Sequence, residues 1–97
     1  MTFTHDISDL KRVPIREVAL RLGVQLVRTG GDTWQEKEAG SRHNVTSLTI
    51  FEKTNSFVRF SGKEQGGVSK GSVIDFVRYI TENPDVKTAC EFLEQFL

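Results

Sequence analysis

The chain has 97 residues, 37% of them hydrophobic and 27% charged, with 13 Lys+Arg balanced by 13 Asp+Glu. This length suits one domain over residues 1–97 with one modest core, and the composition excludes a disordered chain. Zero formal net charge excludes a uniformly basic, histone-like binder while allowing a local basic face.

The opening Met-Thr-Phe-Thr-His-Asp carries no basic n-region and no apolar h-region, so no signal peptide is expected. His5 has no evident role. Pro14 predicts a helix start, because proline at the first helical position loses no intrahelical bond. Ile15, Val18, Ala19 and Leu22 follow at helical spacing, Gly23 is the expected stop, and Arg16, Glu17 and Arg21 occupy the solvated side. Residues 24–27 predict a short strand, Gly30-Gly31-Asp32 a turn, and residues 33–36 the return strand of a hairpin. Trp34 on that strand is either a core anchor or a stacking platform.

Residues 36–44 are polar and predict a loop. Residues 45–51 are β-rich, with Leu48 and Ile50 on one side and Thr49 and Phe51 on the other. After a turn at Lys53-Thr54-Asn55, residues 56–61 form the partner strand of an antiparallel hairpin. There Val58 and Phe60 share one side and Phe57 and Arg59 the other. Leu48, Ile50, Val58 and Phe60 are the expected core; Phe57 and Arg59 are the expected contact pair.

Residues 62–71 hold four glycines and read as a loop that bends sharply or comes close to something. Ser72 with Asp75 three residues on predicts a capping box, followed by Val73, Ile74, Val77 and Ile80 on an apolar face. Asn83-Pro84 is a second start signal, and Val86, Ala89, Cys90, Leu93 and Phe96 repeat at helical spacing. Cys90 on that face reads as a buried thiol, and a single cysteine excludes an internal disulfide. No apolar run approaches the ~20 residues of a membrane span. The expected fold class is α+β: a small antiparallel sheet packed with an N-terminal helix and two C-terminal helices.

The charge is uneven. Residues 42–70 carry five cations (Arg42, Lys53, Arg59, Lys63, Lys70) against two acids, whereas residues 71–97 carry two cations against five acids. A basic strand surface with Phe57 and Trp34 suits single-stranded nucleic acid, because phosphates meet cations and bases stack on rings. A charge excess of this size also arises by chance, and rings on small sheets are usually core. No Walker spacing, paired carboxylates or catalytic dyad stands out, so no enzyme activity and no cofactor are expected.

His43, the strand Thr46-Ser47-Leu48-Thr49-Ile50, the run Asn55-Ser56-Phe57-Val58-Arg59-Phe60-Ser61, Gly66-Gly67, and Gly71-Ser72-Val73-Ile74-Asp75-Phe76-Val77 together resemble the N-terminal zinc-ribbon domain of DnaG-type bacterial primases. The closer likeness is to degenerate relatives of that domain in phage, plasmid and mobile-element proteins. The family's Gly-Asp-x-Ile-x-Phe-Val pattern appears with Ser72 in place of the acid. The zinc pairs of that family would fall on Gly40 and His43 and near Ser61 and Glu64, where only His43 is a good ligand, so no zinc is expected.

The resemblance implies a cytoplasmic, non-catalytic accessory module of DNA replication or priming. It would hold single-stranded DNA through Arg42, Lys53, Phe57, Arg59, Lys63, Lys70 and Trp34. The alternative is a protein-interaction module whose acidic C-terminal helices dock a primase, polymerase or helicase.

Overall fold

A computed structural model describes residues 6–97, which leaves His5 outside the described residues. Two short helices lead the chain, α1 (Ile7–Leu10) and α2 (Ile15–Arg21). Five strands follow: β1 (Leu26–Arg28), β2 (Thr33–Lys37), β3 (Val45–Phe51), β4 (Ser56–Arg59) and β5 (Lys70–Ser72). They form one antiparallel meander in the order β1-β2-β3-β4-β5, and α3 (Val73–Thr81) and α4 (Val86–Glu94) close the chain. The α+β class and the antiparallel sheet with flanking helices are as expected from the sequence.

Local chemistry explains most element boundaries. Asp6 caps α1 by accepting from the Asp9 amide at 3.2 Å. Pro14 stands just before α2, with ψ at 120°, rather than inside its first turn. Ser72 caps α3 by accepting from the Ile74 amide at 3.2 Å, while Asp75 accepts from the Ser72 amide at 3.1 Å, a reciprocal capping box. The start of α4 lies two residues beyond the Asn83-Pro84 signal. Asp85 is its cap, accepting from the Lys87 amide, and Asn83 Oδ1 accepts from the Asp85 amide at 3.0 Å to orient it. The Thr88 hydroxyl donates to Asp85 at 2.5 Å and is the main influence holding that carboxyl below its ordinary range.

The helices cover one face of the sheet. Leu48, Ile50 and Phe57 point into that layer with Phe76, Val77 and Tyr79 from α3 and Leu93 from α4. Phe57 is fully buried, edge-on to Phe76 and tilted against Tyr79, with both ring centroids 5.4 Å away. Burial of such a ring contributes about 1.5–3 kcal/mol, and each aromatic contact adds about 0.5–1.5 kcal/mol.

This reverses the expected sides of β4. Phe57 is core, Val58 is half-buried, and Phe60 is 66% exposed. The reason is which face α3 covers. Phe57 points to the helices and packs on Phe76 and Tyr79, so Val58 and Phe60 point to the uncovered face, and Phe60 also lies past the end of β4.

Asn55 ties the sheet to the N-terminal helices. It adopts a left-handed conformation with φ at 52°, which asparagine tolerates better than most residues. Its side chain accepts from the Ile15 amide and donates to the Lys11 and Val13 carbonyls, all at 2.8 Å. One turn residue therefore satisfies a donor at the start of α2 and two carbonyls of the α1–α2 link. At about 1 kcal/mol per hydrogen bond, Asn55→Ala is expected to cost about 3–4 kcal/mol in urea unfolding, including the strain of a left-handed alanine. Asn55→Gly, which relieves only the strain, should still cost about 3 kcal/mol. An alanine variant within about 1 kcal/mol of the parent would show that this clamp is not a main tie.

Candidate nucleic-acid interface

Side chains on a strand alternate between faces, so the residues between Leu48, Ile50 and Phe57 form the outward face of the sheet. Cross-strand register aligns Val27, Gln35, Thr49, Val58 and Lys70 in one row. Thr33, Phe51, Ser56 and Ser72 form the next row. The Phe60 amide donates to the Ser47 carbonyl at 3.1 Å, which extends the β3–β4 pairing past the end of β4.

Phe51 and Phe60 lean toward each other across this face, edge to face with centroids 6.4 Å apart. Between them on β3 lies Thr49, which is 3% exposed although it faces away from the helices. Val58 lies opposite it on β4 and Gln35 opposite it on β2. The result is an aromatic ridge on a polar sheet face, and the Phe60 ring remains open to solvent.

Cations gather at the end of the sheet where β3 begins and β4 ends. Arg42 lies in the β2–β3 loop, Lys63 follows β4, Lys70 opens β5, and Lys37 closes β2. Arg42, Lys63 and Lys70 are exposed, and among the described residues none of the four forms an ion pair. Glu38 and Glu64 are the acids of the same loops.

The structure brings together three of the seven residues expected from the sequence, Arg42, Lys63 and Lys70. Lys53 is exposed but sits in the β3–β4 turn, at the opposite end of the sheet. Phe57 is sealed between α3 and the sheet and offers no ring to a base. Arg59 shares the side of Phe57 as expected, but that side faces the helices. Its guanidinium lies 3.9 Å from Glu36 and donates to the Ser61 hydroxyl at 3.2 Å. It also lies beside the buried Tyr79 hydroxyl. Burial pushes that phenol above its ordinary value, with Arg59 pulling the other way.

Trp34 pairs with Ile50 on the helix side of the sheet and packs on the core as a half-buried anchor. The Arg16 guanidinium stacks 3.8 Å from the centre of its ring, and its indole N–H donates to Glu52. That ring is therefore occupied from within the chain and does not belong to the outward face.

The glycine-rich segment closes on its own protein. A Cβ on Gly66 would stand 2.1 Å from the Arg78 carbonyl oxygen, and one on Gly71 would stand 2.2 Å from the Asp75 carboxylate. These glycines admit close packing on α3, and part of the expected loop is strand β5. Cys90 is fully buried, and burial raises its thiol pKa, with Glu94 and Asp85 adding to the effect. A protonated, inaccessible thiol is not a nucleophile.

Sequence reasoning missed Phe51, Phe60 and Lys37 as members of this face. Alternation separates the two sides of a strand but does not say which side is wet. Gly40, His43, Ser61 and Glu64 supply one imidazole and one carboxylate, which does not fit a structural zinc ion. Among the described residues no group of three or more His, Cys, Asp or Glu is placed to hold a metal, and no helix is long and apolar enough to cross a membrane. Compared with known protein families, curated proteins and solved structures, the chain matches none of them.

The two phenylalanines of β4 and its extension should behave oppositely. Phe57→Ala is expected to lower stability by about 3–5 kcal/mol in chemical unfolding. Phe60→Ala should cost less than about 1 kcal/mol. Equal losses would contradict the assignment of sides.

Proposed function

We propose that the chain is a non-catalytic module that holds single-stranded nucleic acid on the outward face of its sheet. The observation that carries this reading is the exposed Phe60 ring, set edge to face on Phe51, with Lys37, Lys63 and Lys70 at the end of the sheet where β4 finishes. Bases stack on such rings for about 1–3 kcal/mol each, while cations at one end of the sheet track the phosphates. A sheet face reads the strand through flat rings and point charges, so weak sequence preference follows.

The resemblance of residues 43–80 to the zinc-ribbon domain of primases supports a place beside a priming or replication enzyme of a phage, plasmid or mobile element. It also supports a cytoplasmic setting. The contact set differs from the one expected from the sequence: Phe60, Phe51, Lys37, Arg42, Lys63 and Lys70 carry it, and Phe57, Arg59, Trp34 and Lys53 do not. The alternative, docking of a replication partner through acidic α3 and α4, predicts no binding of DNA.

Fluorescence anisotropy of a labelled oligothymidylate decides between them. Micromolar binding at low salt is expected. With about three or four phosphate contacts, log affinity should fall against log salt with a slope of about −2 to −3. Phe60→Ala should weaken binding about 5- to 100-fold, and Lys53→Ala should change it little. Absence of binding at low salt, or a Phe60→Ala variant that binds like the parent, would overturn the proposal.

A further inference from the structure

The other exposed feature lies at the far edge of the sheet. β1 is an outer strand. The Lys37 amide donates to the Gln25 carbonyl and the Thr29 amide donates to the Thr33 carbonyl, both at 2.9 Å. In an antiparallel ladder alternate residues bond the same neighbour, so Val27 completes this pattern toward β2. Leu26 and Arg28 then direct their N–H and C=O groups away from the sheet. Among the described residues no backbone partner meets those groups.

Beside this edge runs a groove between α2 and the β1–β2 hairpin. Its volume is about 480 Å³, and Leu20, Val24, Leu26, Trp34 and Arg16 line it. Leu20 on its rim is 78% exposed, and Val27 on the other side of β1 is 39% exposed. Among the described residues, the free cation of the surround is Arg28. Arg16 lies on the Trp34 ring but is paired with Glu52 at 3.4 Å, whereas the Arg28 guanidinium lies 5.9 Å from the same ring centre. Arg28 donates only to the Gly30 and Gly31 carbonyls and meets no carboxylate among the described residues.

We propose that the β1 edge and this groove form a docking site for an extended, acidic and apolar segment of a partner protein. The segment adds a strand alongside β1. Its backbone pairs with Leu26 and Arg28, an apolar side chain enters the groove against Leu20 and Trp34, and a carboxylate meets Arg28. The alternation of donors and acceptors along the edge matches a peptide backbone, whereas a phosphodiester has no donors to return. A second copy fits poorly, because pairing β1 with β1 brings the two Arg28 cations together and supplies neither with a carboxylate.

The test is selection of random linear peptides displayed on phage against the immobilised full chain. Enriched peptides are expected to alternate apolar residues with Asp or Glu. A selected peptide should bind Leu20→Asp and Arg28→Glu at least ten-fold more weakly than the parent, with both variants checked for native circular dichroism. Phe60→Ala should bind it unchanged. The peptide should also slow amide hydrogen exchange at Leu26 and Arg28 at least ten-fold. The proposal is overturned by failure to enrich any acidic, alternating peptide or by equal binding to both charge variants. It is also overturned if the unliganded chain self-associates through β1, or if oligothymidylate protects the Leu26 and Arg28 amides in place of the peptide. Loss of DNA binding by Phe60→Ala with peptide binding intact separates this site from the outward sheet face.

Discussion

The burial of Phe57 between Phe76 and Tyr79 decides the two sides of the whole sheet. A strand shows alternate residues to opposite faces, so placing one large ring inside sends its neighbours outward. With Phe57 inside, Leu48, Ile50 and Trp34 follow to the same layer through cross-strand register. Val58, Phe51 and Phe60 are left on the other face. Gly71, paired with Phe57 on β5, has no side chain to compete for this space, and the Asp75 carboxylate approaches there instead.

Two ties hold that arrangement against the helices. At one end Asn55 grips the α1–α2 link through three hydrogen bonds. Toward the other, the Gly66–Gly67 turn lies against the C-terminal part of α3, close enough that only glycine fits at position 66. Three arginines serve this frame: Arg59, expected as a contact residue, bridges toward Glu36, Arg16 covers Trp34, and Arg78 pairs with Asp75 at 2.9 Å. The cations left without such partners collect at the loop end of the outward face and around β1, and these two places carry the functional reading.

Much of the fold was legible because its signals are local. The Ser72–Asp75 capping box, the β3–β4 hairpin and the helical spacing of Val73 to Ile80 depend on residues close in sequence. The side of β4 was not legible, since Phe57 with Arg59 and Val58 with Phe60 are equally plausible inward pairs until α3 is in place. The start of α4 lies beyond its sequence signal for a related reason. Asn83 and Pro84 carry a strong start signal, yet Asn83 is spent on orienting Asp85, the residue that caps the helix. β5 was hidden because three residues containing a glycine gain strand geometry only from pairing with β4. The candidate site inherited the misplaced side, so its exposed cations were legible and its rings were exchanged.

The most direct test of this account is a map of amide chemical shifts in the ¹⁵N-labelled chain during titration with oligothymidylate. The account predicts that the largest changes fall on Phe51, Val58, Phe60 and Lys70, with α3 and α4 undisturbed. Changes centred on the helices, with none at Phe60, would contradict it.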